Sequence, residues 1–184
     1  MKKILLSAVA LLGCATASMA QNASATATQS VSVNLSNAIA ITFTGSGTST
    51  GGAVTLPFST VSDYANGVTS TAQQLKVQSN LPFDVAVKAN STNFTYTGTY
   101  TTGTTMPVSG VLKLLVSANG TGGSIATPFS NTAYSTLTST DQNLITNGTN
   151  GSNQLFSIQY QATPGFTYPA GTYNTNVIYT ATQQ

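Results

Sequence analysis

Val31-Ser32-Val33-Asn34-Leu35-Ser36-Asn37-Ala38-Ile39-Ala40-Ile41-Thr42-Phe43 sets apolar residues at nearly every odd position and small ones between them. Upstream, Ala23, Ala25 and Ala27 keep the same phase among Ser24, Thr26 and Thr28, with far less bulk. A period of two is the mark of a half-buried β-strand, because successive side chains point to opposite faces. At about 3.3 Å per residue the run from 23 to 43 would span roughly 70 Å, against about 17–20 Å for an ordinary strand. Either the run bends near Asn37 and serves both sheets of its own sandwich, or its first part reaches a neighbouring subunit. On both readings Val31, Val33, Leu35, Ile39, Ile41 and Phe43 are the knobs, buried in the core or in an exchanged strand.

Further along, strand-sized segments alternate with Gly, Asn and Pro punctuation. The candidates are Ala53–Phe58, Gln74–Gln78, Phe83–Ala89, Phe94–Tyr100 with a bulge at Gly98, and Val108–Ala118. Within the last, Val111–Val116 is continuous enough for burial on both sides. Asn119–Gly151 reads as a long loop region whose insert, Thr136–Ile145, is a short strand or one helical turn anchored by Leu137, Leu144 and Ile145. Leu155–Ala162 and Thr172–Thr182 alternate cleanly, and the Pro/Gly segment between them makes a hairpin or a sheet-to-sheet crossover. Helical signals are almost absent. The pattern predicts an all-β chain, an antiparallel β-sandwich of immunoglobulin-like or jelly-roll type. A closed barrel is the alternative, and an outer-membrane barrel is disfavoured by too few strands and missing aromatic girdles.

The N-terminus has Lys2 and Lys3, an apolar run from Ile4 to Gly13 and the small-residue site Ser18-Met19-Ala20. This is the pattern of a bacterial secretory signal, with cleavage expected after Ala20. The expected organisation is therefore 1–20 signal peptide, 21–30 N-terminal extension and 31–184 one sandwich domain. The protein is then secreted or held at the cell surface. Leu11-Leu12-Gly13-Cys14 also resembles a lipobox, and a lipoprotein anchored to the membrane through Cys14 is the alternative. Cys14 is the only cysteine, so no disulfide is expected within the domain.

Beyond the signal, Lys76, Lys88 and Lys113 balance Asp63, Asp84 and Asp141, and there is no arginine. Such a surface carries no electrostatic footprint for nucleic acid. Histidine and glutamate are absent from the sequence. A Ser–His–Asp or Cys–His arrangement is thus excluded, and a carboxylate pair would need two of the three aspartates. These read instead as solvated or turn-forming residues. Imidazole and thiolate metal ligands are lacking, and no phosphate loop or calcium loop occurs. The sequence therefore predicts no catalytic residues, no metal site, no cofactor and a non-enzymatic role.

The ending Pro169-Ala170-Gly171-Thr172-Tyr173-Asn174-Thr175-Asn176-Val177-Ile178-Tyr179-Thr180-Ala181, after a strand such as Phe156–Ala162, resembles the last hairpin of secreted bacterial surface sandwiches. That group includes spore-coat-U-like and secreted-pilus-type subunits. Unlike classical fimbrial subunits, this chain has no cysteine pair for an intradomain disulfide. The resemblance implies a structural surface role without catalytic residues. Two functions follow as expectations. One is a fibre, coat or matrix subunit that associates with itself or with other surface proteins by β-strand addition. The other is a monomeric adhesin or carbohydrate-binding module, with a glycan as partner and an exposed aromatic cluster around Tyr64, Phe129, Tyr134 and Phe166.

Overall fold

A computed structural model describes residues 24–184. The expected signal segment, its cleavage site, Cys14 and residues 21–23 lie outside the described residues. In chain order the elements are β1 (Ile39–Phe43), α1 (Val61–Asn66), β2 (Val68–Thr69), β3 (Gln73–Ser79), β4 (Phe83–Ala89) and β5 (Thr95–Thr97). They continue with β6 (Leu112–Gly120), β7 (Ser124–Ile125), β8 (Ser135–Thr136), β9 (Gln142–Gly148), β10 (Gly151–Ala162), β11 (Thr172–Asn174) and β12 (Val177–Gln183).

The strands form two main antiparallel sheets packed face to face, so the expected all-β sandwich is the fold. One sheet has the order β1-β3-β10-β6-β8, with β2 also paired to β10. The other has the order β12-β4-β9-β7, and β11 pairs with β5 in a separate ribbon. The chain from β10 to β12 is the sheet-to-sheet crossover, interrupted at Thr175-Asn176 where β11 ends and β12 begins.

Alternation explains the best-formed strands. In β4, Phe83, Val85, Val87 and Ala89 are buried while Asp84, Ala86 and Lys88 are half-exposed. Across the core they meet Leu75 and Val77 of β3, Leu112, Leu114 and Val116 of β6, and Phe156, Ile158 and Tyr160 of β10. Each such large side chain taken out of water contributes about 1.5–3 kcal/mol, which offsets the chain entropy lost on folding. Tyr160 and Tyr179 close this core with a 2.7 Å hydrogen bond between their hydroxyls.

Several expectations are corrected. The strand expected over Val31–Phe43 shrinks to β1, Ile39–Phe43, which belongs to one sheet only. Its last rung is Ile39 opposite Ser79, where β3 ends and the chain turns into β4. Residues before Ile39 therefore have no partner strand in that sheet, and the bend near Asn37 from one sheet to the other does not occur. One compact unit runs from Ser36 to Gln184.

Ala53–Phe58 is not a strand. Val111–Val116 is not buried on both sides, because its side chains alternate between the core and the outer face of one sheet. Lys113 and Leu115 are half-exposed, whereas Leu112, Leu114 and Val116 are buried. The 119–151 region holds a full strand, β9, despite its Gln/Asn/Thr composition. A register shift against β4 lets the consecutive Leu144 and Ile145 both enter the core. Leu137, Leu144 and Ile145 are the apolar anchors of this region, each fully buried.

A capped helix and a ring contact stand where the sequence predicts a solvated or turn-forming Asp63 and a bulge at Gly98. Thr60 caps α1, its hydroxyl accepting from the Asp63 amide while the Asp63 carboxylate accepts from the Thr60 amide. This reciprocal box appears in the sequence as Thr60-Val61-Ser62-Asp63, a helix-start signal within what alternation alone assigns to a loop. Near Gly98, the Tyr96 ring folds over both Gly98 and Gly171, so closely that a Cβ at either would collide with it. The Tyr96 hydroxyl donates to the Ala170 carbonyl (3.0 Å) and accepts from the Tyr100 amide (3.2 Å).

Candidate functional site

The edges of the sandwich are unequal. β7 and β8, which end the two sheets on one side, are short ladders, whereas β1 and β12 end them on the other with longer strands. Among the described residues β1 is bonded only to β3 and β12 only to β4, so each carries a row of main-chain groups without a sheet partner there. The two edges pack against each other through Phe43 and Tyr179, edge to face with ring centres 6.0 Å apart. Between them lies a small cavity of about 180 Å³ lined by Ile41, Phe43, Leu75, Val177 and Tyr179.

The entry to β1 is clamped. The Asn80 carboxamide accepts from the Ala38 amide (2.9 Å) and donates to the Ser36 carbonyl (2.9 Å). From β12, the Gln183 Nε2 donates to the Ala38 carbonyl (2.9 Å), with Ser79 Oγ and Asn80 Oδ1 also in reach. Upstream of the clamp, residues 24–35 have neither helix nor strand. Val31, Val33 and Leu35 are 79%, 77% and 87% exposed. Of the six expected knobs, then, Ile41 and Phe43 pack on the core, Ile39 sits at its margin, and three stand in solvent. The clamp residues Asn80 and Gln183 carry no sequence signal, since they act only once β3, β4 and β12 are folded.

A second concavity, of about 900 Å³, opens between the 49–58 segment and the 164–177 segment. The expected ligand aromatics Tyr64 and Phe166 do meet, stacked with centres 5.4 Å apart, and Phe58 packs tilted against Tyr64 with centres also 5.4 Å apart. Tyr64 lines the concavity together with Phe58, Tyr168 and Tyr173. Phe129 and Tyr134 do not join this cluster. Phe129 is a core residue, because its position before β8 turns it under the sheet, and Tyr134 is half-buried with its phenol raised by that burial.

The three aspartates have separate structural partners. Asp63 caps α1, Asp84 accepts from the Asn147 amide (2.8 Å) and the Gln184 carboxamide (2.7 Å), and Asp141 pairs with Lys88 (3.0 Å). Among the described residues no group of three or more His, Cys, Asp or Glu is placed to hold a metal ion. No helix among them is long and apolar enough to cross a membrane. The open β1–β12 edge and the aromatic concavity are what the fold presents.

No protein-family model and no curated protein matches the sequence.

Proposed function

We propose that the protein is a non-enzymatic structural subunit, secreted or held at the cell surface, that associates with copies of itself by β-strand addition. The observation that carries this reading is the exposure of Val31, Val33 and Leu35 at strand spacing, directly before an edge strand. Large apolar side chains exposed in such a row mark an interaction surface. As a strand they would present one apolar face, and their main chain would supply the ladder bonds. The acceptor on a neighbouring copy is the open edge of β12 beside β1, where the cavity between Ile41 and Val177 takes the side chains. The C-terminal resemblance to secreted-pilus-type and spore-coat-U-like subunits supports the same role.

The test is the mass of the purified protein in solution over a concentration series, with electron microscopy for filaments. Replacing Val31, Val33 and Leu35 together by Asn should abolish assembly and leave thermal stability within about 0.5 kcal/mol, since these side chains are exposed. A wild-type protein that stays monomeric at every concentration overturns the reading.

A further inference from the structure

We propose that the 900 Å³ concavity between the 49–58 and 164–177 segments is a binding site for a neutral oligosaccharide. This does not rest on strand addition, which uses the β1–β12 edge. Among the described residues, none of the side chains lining the concavity is charged. Phosphorylated, sulfated and other ionic ligands therefore find no counter-charge, and taking an ion out of water there would go uncompensated. The volume falls in the range that holds a ligand of a few rings, about 300–1,000 Å³.

The lining combines flat apolar faces with polar heads that the fold does not use. Phe58 and Tyr64 lie in the lining as a tilted pair, and Phe166, 67% exposed and outside the lining, stacks on Tyr64. Tyr168 and Tyr173 form a second aromatic group across the opening, with ring centres 6.3 Å apart. Four of the tyrosine hydroxyls are used by the fold itself. Those of Tyr96, Tyr160, Tyr173 and Tyr179 are hydrogen-bonded within the protein. Among the described residues, the hydroxyls of Tyr64 and Tyr168 and the carboxamides of Asn174 and Asn176 make no hydrogen bond, and all four line the concavity. A pyranose ring offers a C–H face for an aromatic ring and hydroxyls for the surrounding donors and acceptors.

An added peptide strand suits this wall less well. Residues 51–58 make no main-chain hydrogen bond among the described residues. They are nevertheless not a strand, and Gly51, Gly52 and Pro57 deny them a regular edge.

The experiment titrates the full chain with maltohexaose, cellohexaose, laminarihexaose and mannohexaose, read by calorimetry and by tyrosine fluorescence. At least one should bind saturably. Tyr64→Ala and Tyr168→Ala should each weaken that binding about tenfold or more, and Tyr134→Ala should leave it unchanged. Phe166→Ala, which removes the ring stacked on Tyr64, should weaken it as well. The proposal is overturned if none of the four binds at millimolar concentration, or if binding ignores the Tyr64, Tyr168 and Phe166 variants. It is overturned equally if a synthetic peptide of residues 29–38 binds with that same dependence while the sugars do not. Loss of filaments alone would count against strand addition and leave the sugar titration as it was.

Discussion

Tyr160 on β10 and Tyr179 on β12 belong to opposite sheets, and their hydroxyls meet at 2.7 Å inside the sandwich. Each satisfies the other, so a single change to Phe strands one buried hydroxyl. Tyr160→Phe or Tyr179→Phe should cost about 1–3 kcal/mol, and the double variant less than the sum of the two. Urea unfolding of the four proteins measures the cycle.

The same pair sets an alkaline limit. Burial pushes Tyr160 up to about 12, against the opposing effect of the Tyr179 hydrogen bond. Tyr179 is raised well above the ordinary phenol value by burial and by Tyr160 beside it. The unfolded phenols ionise near about 10, so the unfolded state releases protons first as pH rises. Stability from these groups is complete below about 10 and is lost as pH climbs through about 12. Phenolate absorbance should show a late step that coincides with loss of the β-sheet circular dichroism signal.

At the acid end the sign reverses. The Asp63 carboxyl is held below its ordinary value by the Ser59 amide (2.8 Å), then by the Thr60 amide (2.7 Å) and the Thr60 hydroxyl. Its contribution is present above the unfolded carboxylate value and is lost as pH falls through the lower folded one. The stability gap between wild type and Asp63→Asn should therefore close as pH falls from about 6 to about 2. Thr60→Ala should cost about 1 kcal/mol near neutral pH by removing the cap. Thermal melts at stepped pH check both.

Gly171→Ala should destabilise by about 1–3 kcal/mol, because the new Cβ meets the Tyr96 ring. Tyr96 must then give up its hydrogen bonds to Ala170 and Tyr100. Adding Tyr96→Ala to Gly171→Ala should relieve the clash, so the double variant loses less than the sum of the singles. Urea midpoints across the set measure this coupling.

Lys88→Ala should change stability by about 0–1 kcal/mol, with little further change on adding salt. The Lys88–Asp141 pair is 34% and 59% exposed and therefore screened. Melting temperature at low and high ionic strength is the check.

Where side chains alternate over a full strand, local sequence determined the outcome. β4 was legible to the residue, and the inward set Phe156, Ile158, Tyr160 and Ala162 of β10 was legible as well. The strand-and-turn pattern determined the all-β class, and composition determined the balanced charge beyond the expected signal and the lack of histidine and glutamate. Tertiary structure decided what alternation leaves open, namely which alternating residues find a partner. Val33 and Ile41 share one phase of one run, yet β3 ends opposite Ile39, so Ile41 packs on the core while Val33 stands in solvent. Likewise β9 exists because β4 and β7 flank it and a register shift admits both Leu144 and Ile145. Tyr64 and Phe166 meet only where loops distant in the chain converge. Pattern is a property of neighbours in sequence. A ladder or a stacked ring pair needs neighbours in space, and only the closed sandwich supplies them.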